Sequence, residues 1–233
     1  MEPIPETRAL LDLLWTGDED LESWLLTRAQ RVSSAIPGCV GISVGMRDPL
    51  HGTFTFVVTD TRLRLVDGAQ YLLGGPCEEA IDGQEVVEVD QLSESRWQLA
   101  ALAGAAVGVS SSLSFPLRSA EAEAIGSVNL YGSARDTFDG SAREVARLFG
   151  SAADEAVSNA DLSVTGVDRA RQSTLSVQEW AQVDIAVGVL AEREGVTVER
   201  ARGLLEDAAT RAGVPVTALA EVLLDHHSGG STV

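Results

Sequence analysis

Lysine is absent from the chain, so every basic side chain is an arginine, and the 17 arginines face 35 acids in 233 residues. The resulting formal net charge of -18 argues against broad polyanion binding, because phosphate backbones attract cations and nucleic-acid surfaces normally carry a basic patch. Distribution decides how much that matters, since an arginine cluster acts within a Debye length of about 10 Å while distant carboxylates are screened. Cysteine is scarce too. Cys39 and Cys77 make neither a disulfide framework nor a zinc site of about four ligands, and three histidines add no metal pattern. No apolar run approaches the roughly 20 residues of a membrane-spanning helix. Residues 1–6 lack a basic segment leading into an apolar one, so a cytoplasmic chain with no membrane partner is expected. Nucleotide-binding P-loops, Ser-His-Asp arrangements and His-Glu-x-x-His are missing as well, so no catalytic residue, metal or cofactor is assigned and a non-enzymatic role is expected.

What remains is an ordinary globular composition, 45% hydrophobic, with well-marked periodicities. Leu21, Trp24, Leu25, Arg28 and Val32 recur at helical spacing up to the Ile36-Pro37-Gly38 break. Two strands follow at 40–44 and 53–58, separated by a turn with Asp48-Pro49 and His51-Gly52, and read as an antiparallel pair. A helix is expected over 61–71, a Gly74-Gly75-Pro76 turn after it, and a short helix from Pro76, whose fixed φ suits a first turn. A strand at 85–89, an Ala-rich helix at 93–107 and a hairpin of strands at 112–118 and 125–131 complete the unit. Helices interrupting an antiparallel sheet indicate an α+β fold rather than a parallel doubly wound one.

Beyond this unit Ala146, Phe149, Ala153, Ala156 and Ala160 alternate spacings of three and four. That period fits both a helix lying on its own sheet and an intermolecular coiled-coil seam. A hinge or helix irregularity is expected at 159–166. The last third carries the cleanest pattern, opened by Ser176 and Glu179 in capping-box spacing. The helix they open is apolar nearly all round, with Val177, Trp180, Val183, Val187 and Leu190 on one face and Ala181, Ile185 and Val189 on another. Such a helix should be covered on more than one side. Thr197 caps a second helix with the stripe Ala201, Leu204, Leu205, Ala208, ended by Gly213. Pro215 opens a third with Val216, Leu219, Ala220, Leu223 and Leu224.

Two motifs carry a resemblance. Gln70-Tyr71, Gly74-Gly75-Pro76-Cys77 and Ala80 resemble the Gln-Tyr, Gly, Gly-Pro-Cys, Ala signature of GAF sensor domains in actinobacterial regulators. The likeness spans roughly residues 38–160. Ala186, Gly188 and Leu190, then Glu199 to Ala201 with Leu205, then Ala220, Leu223 and Leu224 resemble the apolar frame of ANTAR modules, a family of RNA-binding transcription antitermination domains. The polar part departs from that family: Trp180 stands where arginine is common, Val187 where lysine is, Ala191 where methionine is, and Glu206 where a basic residue is frequent. These are the positions expected to face RNA.

The resemblance implies an N-terminal helical segment (1–37), a GAF-like sensor (38–160), a linker (161–175), an ANTAR-like three-helix output (176–228) and a disordered tail (229–233). The expected partners are RNA hairpins in leader transcripts, a small-molecule ligand in the sensor and a second copy of the chain. Tyr71, Cys77 and Trp97 are the candidate ligand-binding residues. Cys77 also reads as a small apolar filler, or as a redox thiol if a helix N-terminus lowers its pKa. Reactive-thiol reductase chemistry, which some GAF-fold proteins perform, is not expected of Cys39 and Cys77 in their sequence contexts. Arg193, Arg200, Arg202 and Gln182 are the candidate RNA contacts, although residues 173–233 hold nine acids against four arginines. Tryptophan's burial habits place Trp180 in the bundle core, with stacking on an unpaired base as its other reading. The alternative output is a dimerising or protein-interaction module that has lost RNA readout.

Overall fold

The structure, a computed structural model, describes residues 21–118, 123–141 and 177–229. Helix α1 (Leu21–Ala35) leads into β1 (Cys39–Asp48) and β2 (Gly52–Val58), the expected antiparallel pair. A 3-10 turn at Thr61–Leu63, capped by the Asp60 side chain accepting from the Arg62 N–H, starts the run that continues as α2 (Arg64–Leu73). Gly74, at φ 79°, turns the chain in a conformation that disfavours a Cβ, and α3 (Pro76–Gly83) begins at the proline. Strand β3 is short (Val87–Val89). The Ala-rich helix α4 (Gln98–Val107) starts later than its periodicity suggested, because a 3-10 turn at Leu92–Glu94 takes up the preceding residues.

Strands β4 (Ser111–Arg118) and β5 (Ala124–Gly132) complete a five-stranded antiparallel sheet in the order β2-β1-β5-β4-β3. Alternation divides it into two chemically different faces. Ile42, Val44, Met46, Leu113, Phe115, Leu117, Val128 and Leu130 pack with Val32 and Ile36, so α1 covers the apolar face. The opposite face, covered by α2 and α3, carries Ser43, Gly45, Thr53, Thr55, Ser112, Ser114, Ser127, Asn129 and Tyr131.

Helices α5 (Val177–Glu194), α6 (Val198–Ala212) and α7 (Val216–Gly229) form the expected bundle. Thr197 accepts from the Arg200 N–H at the start of α6, and Gly213, at φ 69°, ends it. Val183, Ala186, Val187, Leu190, Ala201, Leu205, Ala208, Leu219, Ala220 and Leu223 are all sealed from solvent. The bundle is not a separate bead. Its core is continuous with that of α2 and α4, and α2 lies against α6 with Gly68 facing Ala212, Val214 and Leu219.

Two expectations for α5 are corrected. Trp180 is 46% exposed and Ile185 59% exposed, so among the described residues only one side of this helix is covered. At about 100° per residue, Val183, Ala186, Val187 and Leu190 define one inward arc. Trp180 lies at its edge, a turn before the first of them, and Ile185 lies opposite. The same arc buries Val187 and Ala191, so these two positions fill the core instead of facing a partner. The stretch 146–160, the irregular segment 159–166 and the capping hydroxyl of Ser176 fall outside the described residues.

Candidate functional site

A sheet face built of hydroxyls and an amide would ordinarily be solvated, because each buried polar group without a partner costs about 1–3 kcal/mol. Here it is covered, and α2 supplies the partners. Asp67, fully buried, accepts through Oδ1 from Ser43 Oγ at 2.9 Å and from the Tyr131 hydroxyl, and through Oδ2 from Thr55 Oγ1 at 2.8 Å. Gln70 Nε2 donates to the Tyr131 oxygen at 3.1 Å, and Asn129 Nδ2 donates to Ser43 Oγ at 3.2 Å. The Tyr71 hydroxyl lies 3.0 Å from Thr55 Oγ1. Among the described residues, Ser112 Oγ and Asn129 Oδ1, both on this face, have no hydrogen-bond partner.

The α2–α3 corner is held from inside the same network. Gly75 offers no side chain to cap α3, and the Gln70 Oε1 accepts instead from the Cys77 N–H at 2.8 Å. A Cβ on Gly75 would collide with the Gln70 side chain, so a larger residue there must displace Gln70 from the Cys77 N–H. At the rim, Arg47 bridges Glu78 and Asp82 and holds α3 to β1.

Burial dominates the electrostatics. It raises the Asp67 carboxyl above its ordinary range, partly offset by the donors Tyr131, Thr55 and Ser43 and by the nearby Arg64 charge. Both tyrosine hydroxyls are pushed up by burial and then by Asp67. Cys77, sealed and 3.1 Å from Ser127 Oγ, is likewise raised by burial and by the Asp67 and Glu78 charges. The activated thiol that a helix N-terminus can create is therefore absent, and desolvation overrides the helix end.

The structure thus brings Tyr71 and Cys77 into one network. It leaves Trp97 outside that network, half-buried at the start of α4, packed on the same apolar cluster with the Arg96 guanidinium 4.5 Å from its ring centre. Asp67, Ser43, Thr55, Ser127, Asn129 and Tyr131 were not singled out from the sequence. Their signal was an aspartate inside the apolar run Leu65-Val66-Asp67-Gly68-Ala69 and the Ser-Leu-Ser-Phe alternation at 112–115.

This arrangement agrees with the comparison to known families, where the GAF domain model matches residues 25–158, more than half of the chain. The chain belongs to the GAF domain family. Among solved structures, the GAF fold here is similar to a type II free methionine-R-sulfoxide reductase from Thermoplasma acidophilum (14% identity, 59% of this chain and 92% of that one, TM-score 0.46). It is also similar to the GAF domain of an Acinetobacter phosphoenolpyruvate-protein phosphotransferase (12% identity, 67% and 94% covered, TM-score 0.45). A third is a GAF sensor protein from Burkholderia vietnamiensis (15% identity, 66% and 89% covered, TM-score 0.45). No curated protein matches the chain. Among the described residues no helix is long and apolar enough to cross a membrane.

Outside the GAF match, the four candidate RNA contacts sit on α5, α6 and the exposed surface between them. Gln182 is exposed. Arg193 lies 3.7 Å from Glu194, and Arg202 is bonded to Asp184 with Glu206 at 3.8 Å. Arg200 is exposed, with no acid partner among the described residues. Two residues apart on α6, Arg200 and Arg202 point roughly 200° apart around the helix axis. The fourth arginine of the module, Arg211, is turned toward the GAF domain, where it donates to the Thr53 and Tyr71 carbonyls.

Proposed function

We propose that this chain is a signal-responsive regulator in which the GAF domain senses a small molecule and governs an ANTAR-like output (176–228) that binds RNA hairpins in leader transcripts and acts in transcription antitermination. The observation that carries this reading is the retained ANTAR-like frame: Ala186, Leu190, Ala201, Leu205, Ala220 and Leu223 are all fully buried in one three-helix bundle. The ligand reading rests on Tyr71 and Cys77 bordering a buried polar face with two oxygens unpartnered among the described residues, and Trp97 flanks the same core. Arg200, Arg193, Arg202 and Gln182 are the proposed RNA contacts, in a cytoplasmic homodimer. Mobility shift at low salt against paired hairpins tests the output. A folded chain that shifts no hairpin would refute RNA binding, whereas a shift weakened by Arg200→Ala and strengthened as salt is lowered supports it.

A second reading has its own support. Arg193 and Arg202 are each tied to acids, and Trp180 and Ile185 leave apolar surface on α5, which favours a dimerising or protein-interaction module without RNA readout. Light scattering separates the two: a stable dimer without hairpin affinity is the outcome this second reading requires.

A further inference from the structure

Arg211 occupies the last turn of α6, yet its guanidinium makes most of its bonds outside the bundle. Nη1 donates to the Thr53 carbonyl at 2.7 Å and Nη2 to the Tyr71 carbonyl at 3.1 Å, while Nε donates to Asp207 at 2.8 Å. The guanidinium also stands 5.1 Å from the centre of the Tyr71 ring. The Tyr71 carbonyl is among the final four of α2, groups that lack intrahelical donors and carry the negative end of the helix dipole. Arg211 therefore caps a helix of the sensor. The reverse holds as well, because Arg64 at the start of α2 donates at 3.0 Å to the Ala212 carbonyl at the end of α6. Gly68 permits this approach, since a Cβ there would stand 3.1 Å from Ala212 Cβ.

Tyr71 is shared by the two systems. Its carbonyl and ring hold Arg211, and its hydroxyl rests beside Thr55 in the network centred on Asp67. We propose that Tyr71 and Arg211 form a latch through which the occupancy and hydrogen bonding of the buried polar face set how tightly the end of α6 is held to the sensor. A rearrangement that draws the Tyr71 hydroxyl away from Thr55 tilts the ring on which the guanidinium rests. The cation then loses its stacking surface and strains its carbonyl bonds, and the 207–213 segment loosens. This rests on the sensor-and-output reading above, and it adds the residues that join the two parts.

Hydrogen exchange on the full chain, with neither RNA nor ligand added, tests the latch. Tyr71→Phe removes only the hydroxyl and keeps the ring. Thr55→Val removes that hydroxyl's neighbour, a group whose hydrogen bonds among the described residues go to Asp67 and Tyr71 of the sensor. Both variants are expected to speed exchange of the 207–213 amides about fivefold or more, toward the rate in Arg211→Gln, with α1 on the other sheet face unchanged. Adding Arg211→Gln to Tyr71→Phe should give little further increase, as expected for residues acting through one contact. If Tyr71→Phe also speeds α1, it has weakened the whole fold and Thr55→Val decides. Unchanged 207–213 exchange in Thr55→Val, or in a Tyr71→Phe chain that stays folded, overturns the proposal. Because no RNA is present, failure of the antitermination reading leaves this result standing, and the two failures are distinguishable.

Discussion

Replacing Asp67 by asparagine tests whether the carboxylate at the centre of the buried face resists burial or is rescued by its donors. The amide is nearly isosteric and its oxygen still accepts from Ser43 and Tyr131. Its nitrogen donates to Thr55 Oγ1, which can turn its own proton to the Tyr71 oxygen 3.0 Å away. The second amide N–H and the Tyr71 proton are then left without an acceptor in the network, a cost that does not vary with pH and so offsets the difference curve without changing its slope. The difference lies in proton uptake. Burial raises the folded-state pKa above the ordinary value of 3.8, so between the two values the folded chain holds a proton that the unfolded chain has released. Wild-type stability relative to Asp67→Asn is therefore greatest below the unfolded value. It declines as pH rises toward the folded value, with a slope of at most about 1.4 kcal/mol per pH unit for one proton, and is flat above it. Subtracting the variant cancels other titrating carboxyls, including Glu88, raised by burial, and Glu94, lowered by Arg135. Urea denaturation followed by tryptophan emission over about pH 3 to 8 gives the difference curve. A slope of opposite sign would mean that the hydroxyls and Arg64 favour the ionised form more than burial disfavours it, and the reasoning would fail.

Three further outcomes are expected. Cys77 should resist iodoacetamide in the native chain at neutral pH and react after denaturation, as mass spectrometry of the labelled peptide will report, because its thiol is sealed and its pKa raised; native-state labelling would show that the α2–α3 corner opens. Gly75→Ala should displace the Gln70 side chain from the Cys77 N–H and lower stability by about 1–3 kcal/mol, read as a shift in urea midpoint, while Gly203→Ala, where a Cβ meets nothing within 4 Å, should not destabilise. Leu219→Ala should cost about 2–5 kcal/mol. Because Leu219 belongs to the core shared by bundle and sensor, calorimetry should show one transition moving as a unit, and a sensor transition left in place would contradict a continuous core.

Periodicity located most helices and strands because burial on one side imposes a repeat of 2 or 3.6 on the apolar residues. The stripe on α6 and the alternation of β4 are of this kind, and Gly213 and Thr197 mark their helix ends by local backbone chemistry. Trp180 and Ile185 escaped the same logic, since an apolar residue announces that it prefers burial and says nothing of whether a neighbour arrives to bury it. The site failed to register for the converse reason. Ser112, Ser114, Ser127 and Asn129 alternate with leucine, phenylalanine and valine as the outward residues of a half-solvated sheet would, and a pattern of polarity cannot tell water from a covering helix.

What distinguishes the two cases is on a different element. Asp67 sits where α2 should be apolar, and an aspartate in that position is affordable only if hydroxyls wait opposite it. Gly68 beside it has a similar logic, leaving room for Ala212 some 140 residues later in the chain. One helix therefore presents its polar exception to the sheet and its smallest residue to the bundle, and Tyr71, a turn further on, touches both. Changes at the sheet face and at the bundle surface consequently have a short physical path between them. The buried network and the seam with α6 share the residues of α2, even though they lie in parts of the chain that composition and periodicity read as separate.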